Sequence, residues 1–504
     1  LRLAAAALLA AGLTAPALLT ASPVSAEAVT KAAVHTQQDF SPYSNYTMKW
    51  TRADAQRIMK ASKTGVEPGT NSMPLAQTML DVPYNFPVML DRNGKQVWVW
   101  DTWPLTDAHG NQYSYKGWNV IFSLTADPYA GYDFDDRHVN ARISYWFRRA
   151  NDNTSPWIYG GKVFGDTTPK SQAEWSGSAR VFGNGQVKLF YTHLDFADRN
   201  KPMATISLST GKLKADADGL SLSGFNGHKE LLKADGKYYQ TVEQNPYYSF
   251  RDPFTFEDPA YPGKTFMVFE GNTAGDRGDY QCQDSDLGRS GEDADAVTAS
   301  GANFQMANIG LAVATNKQLT KWKYLPPILS ANCVNDQTER PQFVIKKVNG
   351  QYKYYLFTIS HAFTYAAGLR GPDGVYGFVG DGIRSDFQPL NKSGLVLGNP
   401  TDLNLAARDA KQNARAYQSY SHYVMPGGLV ESFIDTVADR RGGTLAPTVK
   451  ININATTTKV DRTVGNKGLL GYGYIPANID LDPSGGGNGL NKATKQLQVN
   501  SVGS

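Results

Sequence analysis

Short apolar stretches alternating with polar residues, each bounded by Gly, Asn, Asp or Pro, recur from residue 85 to the end of the chain, and helical periodicity is scarce. A period of two between turn signals marks β-strands, so the chain reads as all-β. One pattern returns: a turn glycine, a polar or basic residue, then alternating aromatics. It occurs as GQVKLFYTH (185–193), GKYYQTV (236–242), GKTFMVFEG (263–271) and GQYKYYLFTIS (350–360). Each reads as the inner strand of a hairpin entered through a tight turn. The spacing is too uneven for a strict tandem array, but a β-propeller of diverged four-stranded blades tolerates such insertions, which favours it over a sandwich.

Four regions break the pattern. Residues 1–26 hold an apolar run (4–20) after Arg2 and then small residues up to Ala26. This reads as a secretory signal peptide cut after Ala26, and so as a secreted, extracellular protein. A membrane anchor fits less well, because the run is short and broken by Pro16; no other uncharged stretch is long enough to span a bilayer, so no membrane partner is expected. Residues 27–80 include the helix-compatible RADAQRIMKAS (52–62) and read as a partly helical N-terminal arm packed on the β-domain, which would span 81–478. The Gly-, Asp- and Ser-rich stretch 272–303 reads as a long functional loop, and 479–504 as a polar, Gly-rich tail.

Composition narrows the classes. With 504 residues, 41% hydrophobic and 19% charged, the chain can bury a large core. A net charge of +4 without clustering excludes nucleic acid as an expected partner. Cys282 and Cys333 are the only cysteines; in an exported chain they pair more often than they stay as two thiols, and both readings stay open here. The seven histidines show no H-x-H or HExxH spacing, and 284–296 lacks the EF-hand ligand order, so no metal site is expected.

Four stretches could carry chemistry. In VWVWDTWPL (97–105), a Trp-rich strand delivers Asp101 between Trp100 and Trp103. Flat aromatic rings stack on sugar faces and a carboxylate beside them can reach an anomeric carbon, although a lone aspartate ending a strand is more often a turn residue. EWSGSA (174–179) sets Trp175 beside the Ser176 hydroxyl in a turn before another strand, as a sugar subsite or an orienting contact would. SFRDPFTFED (249–258) places Asp252 before a proline, which should hold it extended, and beside Arg251, which should keep it ionised; a structural salt bridge is the alternative. In NDQTERPQFV (335–344), Glu339 next to Arg340 fits a general acid whose pKa is raised by neighbouring carboxylates, provided the fold gathers them; otherwise it is a solvated loop residue.

Taken together and in this order, VWDTWPL, EWSGSA, RDPFTFED and DQTERPQ resemble the levansucrases and related fructosyltransferases of glycoside hydrolase family 68, over roughly residues 45 to 475. The resemblance implies a five-bladed β-propeller with a central funnel-shaped pocket. By it, Asp101 matches the nucleophile, Asp252 the transition-state stabiliser and Glu339 the acid/base. Trp100, Trp175, Ser176, Arg251, Gln337, Arg340, His361 and Tyr420 match positions around the sucrose site. Gln337 and His361 stand where many Gram-positive members carry Glu and Arg, which is similar to the calcium-independent branch in which two cysteines form a disulfide. That branch implies a Cys282–Cys333 bridge, a structural Asp336 and no cofactor, with calcium possible but not favoured.

The function so implied is a monomeric enzyme that splits sucrose by retaining double displacement, releases glucose, and passes fructose to a fructan, a small sugar or water. Two alternatives remain: a β-fructofuranosidase of the same family that mainly hydrolyses or uses small acceptors, and a sugar-binding propeller without turnover.

Overall fold

The described strands form four hydrogen-bonded sheets, one of eleven strands that joins two blades and three of five or six strands that make one blade each. The computed structural model describes residues 38–62, 74–79, 82, 85–198, 200–399, 417–437 and 440–476. The expected signal peptide, the tail, and parts of the arm lie outside these residues. The inner strands are Gln96–Thr106, Gln172–Phe182, Phe250–Glu257, Glu339–Val348 and Tyr417–Val424. Each packs against the next and the fifth returns to the first, closing a ring. The first two also pair directly, in parallel, at Leu105↔Ala179 and Thr106↔Arg180. The chain is a five-bladed β-propeller, and all the described strands belong to one unit, Asp39–Ser504.

The aromatic hairpin strands fall elsewhere than expected. GQVKLFYTH, GKTFMVFEG and GQYKYYLFTIS form the second strands of their blades (Gln186–Asp195, Thr265–Asn272 and Gln351–Ser360), not the innermost ones. A second strand is covered on both faces by the neighbouring blades, so it is apolar nearly throughout; Thr265–Asn272 is buried at every position. The turn ahead of the fourth blade's second strand has positive φ at both Asn349 and Gly350, as a tight hairpin requires. GKYYQTV is no strand. The Asp235 carboxylate accepts from the amides of Lys237, Tyr238 and Tyr239 and folds the segment into a turn, a local bond that competes with sheet pairing.

Ahead of the first blade, helix Arg52–Ser62 starts at a reciprocal cap in which the Asp54 amide donates to Thr51 Oγ1 and the Thr51 amide to Asp54 Oδ2. Its buried Arg52 donates to both oxygens of Glu292 (2.7 Å each) and to the carbonyls of Cys333 and Ala367 (2.9 Å each). The long connection between the third blade's second and third strands carries two short helices, Asp284–Leu287 and Ala294–Ala299. Cys282 in that connection is disulfide-bonded to Cys333, which resolves the open alternative in favour of pairing.

One irregularity repeats around the ring. Every inner strand slips register with its neighbour: between Trp100 and Thr102, Trp175 and Gly177, Arg251 and Phe254, Glu339 and Gln342, and, on the fifth, between Tyr420 and Tyr423 as well as between Gln418 and Ser419. A β-bulge re-aims side chains that strict alternation would send to opposite faces. In four of the five blades the bulge holds a non-glycine residue at positive φ: Asp101, Asp252, Arg340 and Ser421.

Candidate active site

All four sequence stretches with candidate chemistry sit on inner strands, at these bulges. Asp101, with φ +38°, accepts a hydrogen bond from the Ser176 hydroxyl of the second blade. Trp175 and Ser176 lie within a strand rather than in the turn expected for them. Asp252 has φ +61°, not the extended backbone that the following proline suggested, because the bulge overrides the local preference. Its amide donates to Thr192 Oγ1 (2.9 Å) and its Oδ2 accepts from the Arg340 amide (3.2 Å).

Arg251 lies between carboxylates. Its Nε donates to Glu270 Oε2 (2.5 Å) and its Nη2 to Glu339 Oε1 (2.7 Å), whereas Asp252 Oδ2 is 3.9 Å from Nε. The partner expected from sequence, Asp252, is therefore the most distant of the three. Glu270, fully buried on the third blade's second strand, also accepts from the Thr338 amide (3.1 Å) and thereby anchors the residue before Glu339. Burial pushes the Asp252 and Glu270 carboxyls up from their ordinary values, with Arg251 pulling the other way.

The aromatic walls connect to this cluster. The Arg251 guanidinium lies 5.6 Å from the Trp175 ring, whose Nε1 donates to the His138 carbonyl (2.7 Å). Trp100, 1% exposed, stands edge-on to the His138 ring at 5.7 Å, with the Arg137 guanidinium 5.3 Å away. Burial, then Arg137, lowers His138 to about 4, so this imidazole is neutral near pH 7. Tyr420 stacks on His361 at 3.5 Å, and His361 stacks in turn on the exposed Phe363 at 4.8 Å. Burial and the neighbouring Glu339 carboxylate hold the Tyr420 phenol well above its ordinary pKa. His361 Nδ1 is 3.2 Å from Asp373 Oδ2; burial would lower this imidazole, but Asp373 outweighs it and the pKa is raised.

Gln337 is fixed through its backbone, its amide donating to Asn335 Oδ1 (3.0 Å) and its carbonyl accepting from Ser360 Oγ (2.7 Å). Its Oε1 is buried without a hydrogen-bond partner among the described residues. Arg340 differs from the sugar contact expected of it. It is 4% exposed, and its guanidinium donates to Ser421 and to the Thr102 carbonyl. Sequence reasoning missed Glu270, His138, Arg137 and Asp373. Glu270 did leave a signal, as the one charge interrupting the apolar run TFMVFEG; the DDRH stretch (135–138) left only a polar turn.

Asp336 tests the fit to calcium. Its Oδ1 accepts from Asn272 Nδ2 and from the Met306 amide (3.3 Å each), and burial raises its pKa. A carboxylate oxygen facing N–H donors suits a structural role better than a cation, which needs several oxygen ligands.

Comparison with known proteins gives a consistent neighbourhood. The model of the Levansucrase/Invertase family matches residues 40–476. The levansucrase of Gluconacetobacter diazotrophicus is 54% identical over 480 residues, covering 88% of this chain and 81% of that protein. The crystal structure of a levansucrase from that organism superimposes with a TM-score of 0.81 over 88% of this chain and 96% of that one. The full-length β-fructofuranosidase of Microbacterium saccharophilum K-1 is 51% identical, with a TM-score of 0.82 and 94% of both chains covered.

Proposed function

The chain belongs to the Levansucrase/Invertase family, glycoside hydrolase family 68, and from that premise we propose that it cleaves sucrose and transfers the fructosyl unit, with Asp101, Asp252 and Glu339 as its catalytic residues. The observation that carries this is the bulge geometry: three carboxylates from three separate blades are turned to one site, tied together by Ser176, Arg251 and Arg340.

Asp101 attacks the anomeric carbon of the fructosyl unit, forming a covalent fructosyl-enzyme, while Glu339 gives its proton to the departing glucose oxygen. The Ser176 bond orients the attacking carboxylate. Asp252 binds sugar hydroxyls next to the reacting carbon, where contacts strengthen as positive charge develops. Glu339 then takes a proton from the acceptor, so configuration is retained. Arg251, facing Glu270 as well as Glu339, gives the cluster one fixed positive charge beside the Asp252 and Glu270 carboxyls, which burial pushes up. Trp175 supplies an apolar face for the donor, while Trp100, packed against His138, belongs to the buried wall; Gln337, His361 and Tyr420 border the side where glucose leaves and an acceptor enters.

The protein works outside the cytoplasm and without calcium on this reading. The Cys282–Cys333 bridge suits an oxidising compartment, and the N–H donors around Asp336 suit a metal-free loop. A chelator should therefore leave the rate unchanged.

Incubation of the purified chain with sucrose, followed by glucose and fructose quantification and sizing of larger products, tests the proposal. Glucose in excess of free fructose, with larger fructosylated products, is expected. Equal amounts with no larger product would favour the β-fructofuranosidase reading, which the likeness to the Microbacterium enzyme supports. No glucose at all would sink both.

A further inference from the structure

Arg340 stands where the site's strands converge. Its φ of +46° is unfavourable for a residue with a Cβ and persists only where the surroundings hold it. Its amide donates to Asp252 Oδ2 (3.2 Å). Its Nη1 donates to both the carbonyl (2.5 Å) and the hydroxyl (2.7 Å) of Ser421, and its Nη2 to the Thr102 carbonyl (2.6 Å). The rings of Trp103 and Tyr423 flank the guanidinium at 5.9 and 5.6 Å.

The identity of these partners matters. Thr102 follows Asp101, Ser421 follows Tyr420, and Arg340 itself follows Glu339. One residue thus reaches the bulges of four blades, including all three that carry a catalytic carboxylate. We propose that Arg340 is a positioning residue for sucrose cleavage: it sets the spacing of Asp101, Asp252 and Glu339 relative to one another without touching the sugar. This rests on the function proposed above.

The three carboxylates sit on separate sheets, so no single sheet fixes their separation. Displacement of a reacting group by about 1 Å costs on the order of 100-fold in rate. A planar guanidinium can hold two strands in two directions at once, whereas a lysine ammonium is a single point of charge on a flexible stem. R340K keeps the charge and loses the span.

The test compares wild type, R340K and S421A as full chains, each checked for folding by circular dichroism and thermal unfolding. In R340K, kcat for glucose release should fall about 100-fold while the sucrose KM stays within about 3-fold, and the pH–rate profile should shift as Asp252 and Glu339 change surroundings. S421A loses only the hydroxyl acceptor and should lower kcat several-fold, roughly 3–10, at unchanged KM. A raised KM with kcat retained would mean that Arg340 touches the sugar and would overturn the proposal. So would unchanged kinetics and pH profile accompanied only by lower stability. If R340K does not fold, S421A decides: wild-type kcat and pH profile there would also overturn it. Wild type is measured in the same assay, so its failure to release glucose would be recognised as failure of the proposed function.

Discussion

Arg251 contacts two buried or half-buried carboxylates directly and lies within 3.9 Å of a third, so the site's proton balance belongs to a group of residues. Removing one acid from that group should be far from additive. D101N retains the Ser176 contact but lacks the proposed nucleophile, and glucose release from sucrose should fall by on the order of 10³-fold or more, with substrate still bound. Retention of a tenth of wild-type activity would remove Asp101 from its assigned role. His361 offers a second measurement. Its raised pKa favours the charged form in the folded chain, so the stabilisation from its pairing with Asp373 is complete below the ordinary value of 6.5 and is lost as pH rises through the raised one. In D373N the imidazole should titrate at lower pH than in wild type, followed by NMR of the ring protons. An unchanged midpoint would rule out Asp373 as the cause.

The inner strands show why local sequence revealed some things and hid others. VWVWDTWPL, RDPFTFED and DQTERPQFV could be recognised as carriers of chemistry because carboxylates interrupt aromatic or β-branched runs there. Their bulges could not be read, since a bulge is decided by the partner strand. For the same reason Asp252 was expected to be extended, and the aromatic hairpin strands were placed one position too close to the axis. The second blade depends on its bulge most visibly at Gly177, where an added Cβ would lie 1.8 Å from the Phe190 carbonyl oxygen. G177A must open the pairing beside Ser176; a stability loss of about 1–3 kcal/mol and loss of most activity are expected from chemical denaturation and sucrose assays. The same blade carries a stacked pair of imidazoles, His193 and His228, with ring centroids 4.2 Å apart. Burial, then His193, lowers His228 to about 4, so the unfolded chain takes up its proton first as pH falls from 6.5. Stability should therefore drop between about pH 6.5 and 4, and H228N should flatten that drop in calorimetric melting temperatures. Identical pH dependence in the variant would contradict this.

Across the whole chain, two long-range ties brace the approach to Glu339. The Cys282–Cys333 bridge closes a separation of 51 residues, worth about 4 kcal/mol by the chain-entropy model. Arg52 adds a tie from the N-terminal helix to the Cys333 carbonyl and to Glu292. Replacing both cysteines by serine should lower stability by about 2–4 kcal/mol, read from the denaturant midpoint; an unchanged midpoint would mean that the helix alone suffices.

The closing of the ring has a consequence in time. Tyr420 and Ser421 lie about eighty residues beyond Glu339, on the last inner strand, and that strand packs back against the one bearing Asp101. During synthesis the chain emerges with its acids already present but with no fifth blade to seat them. On the proposed function, sucrose cleavage should therefore wait until the final sheet has docked.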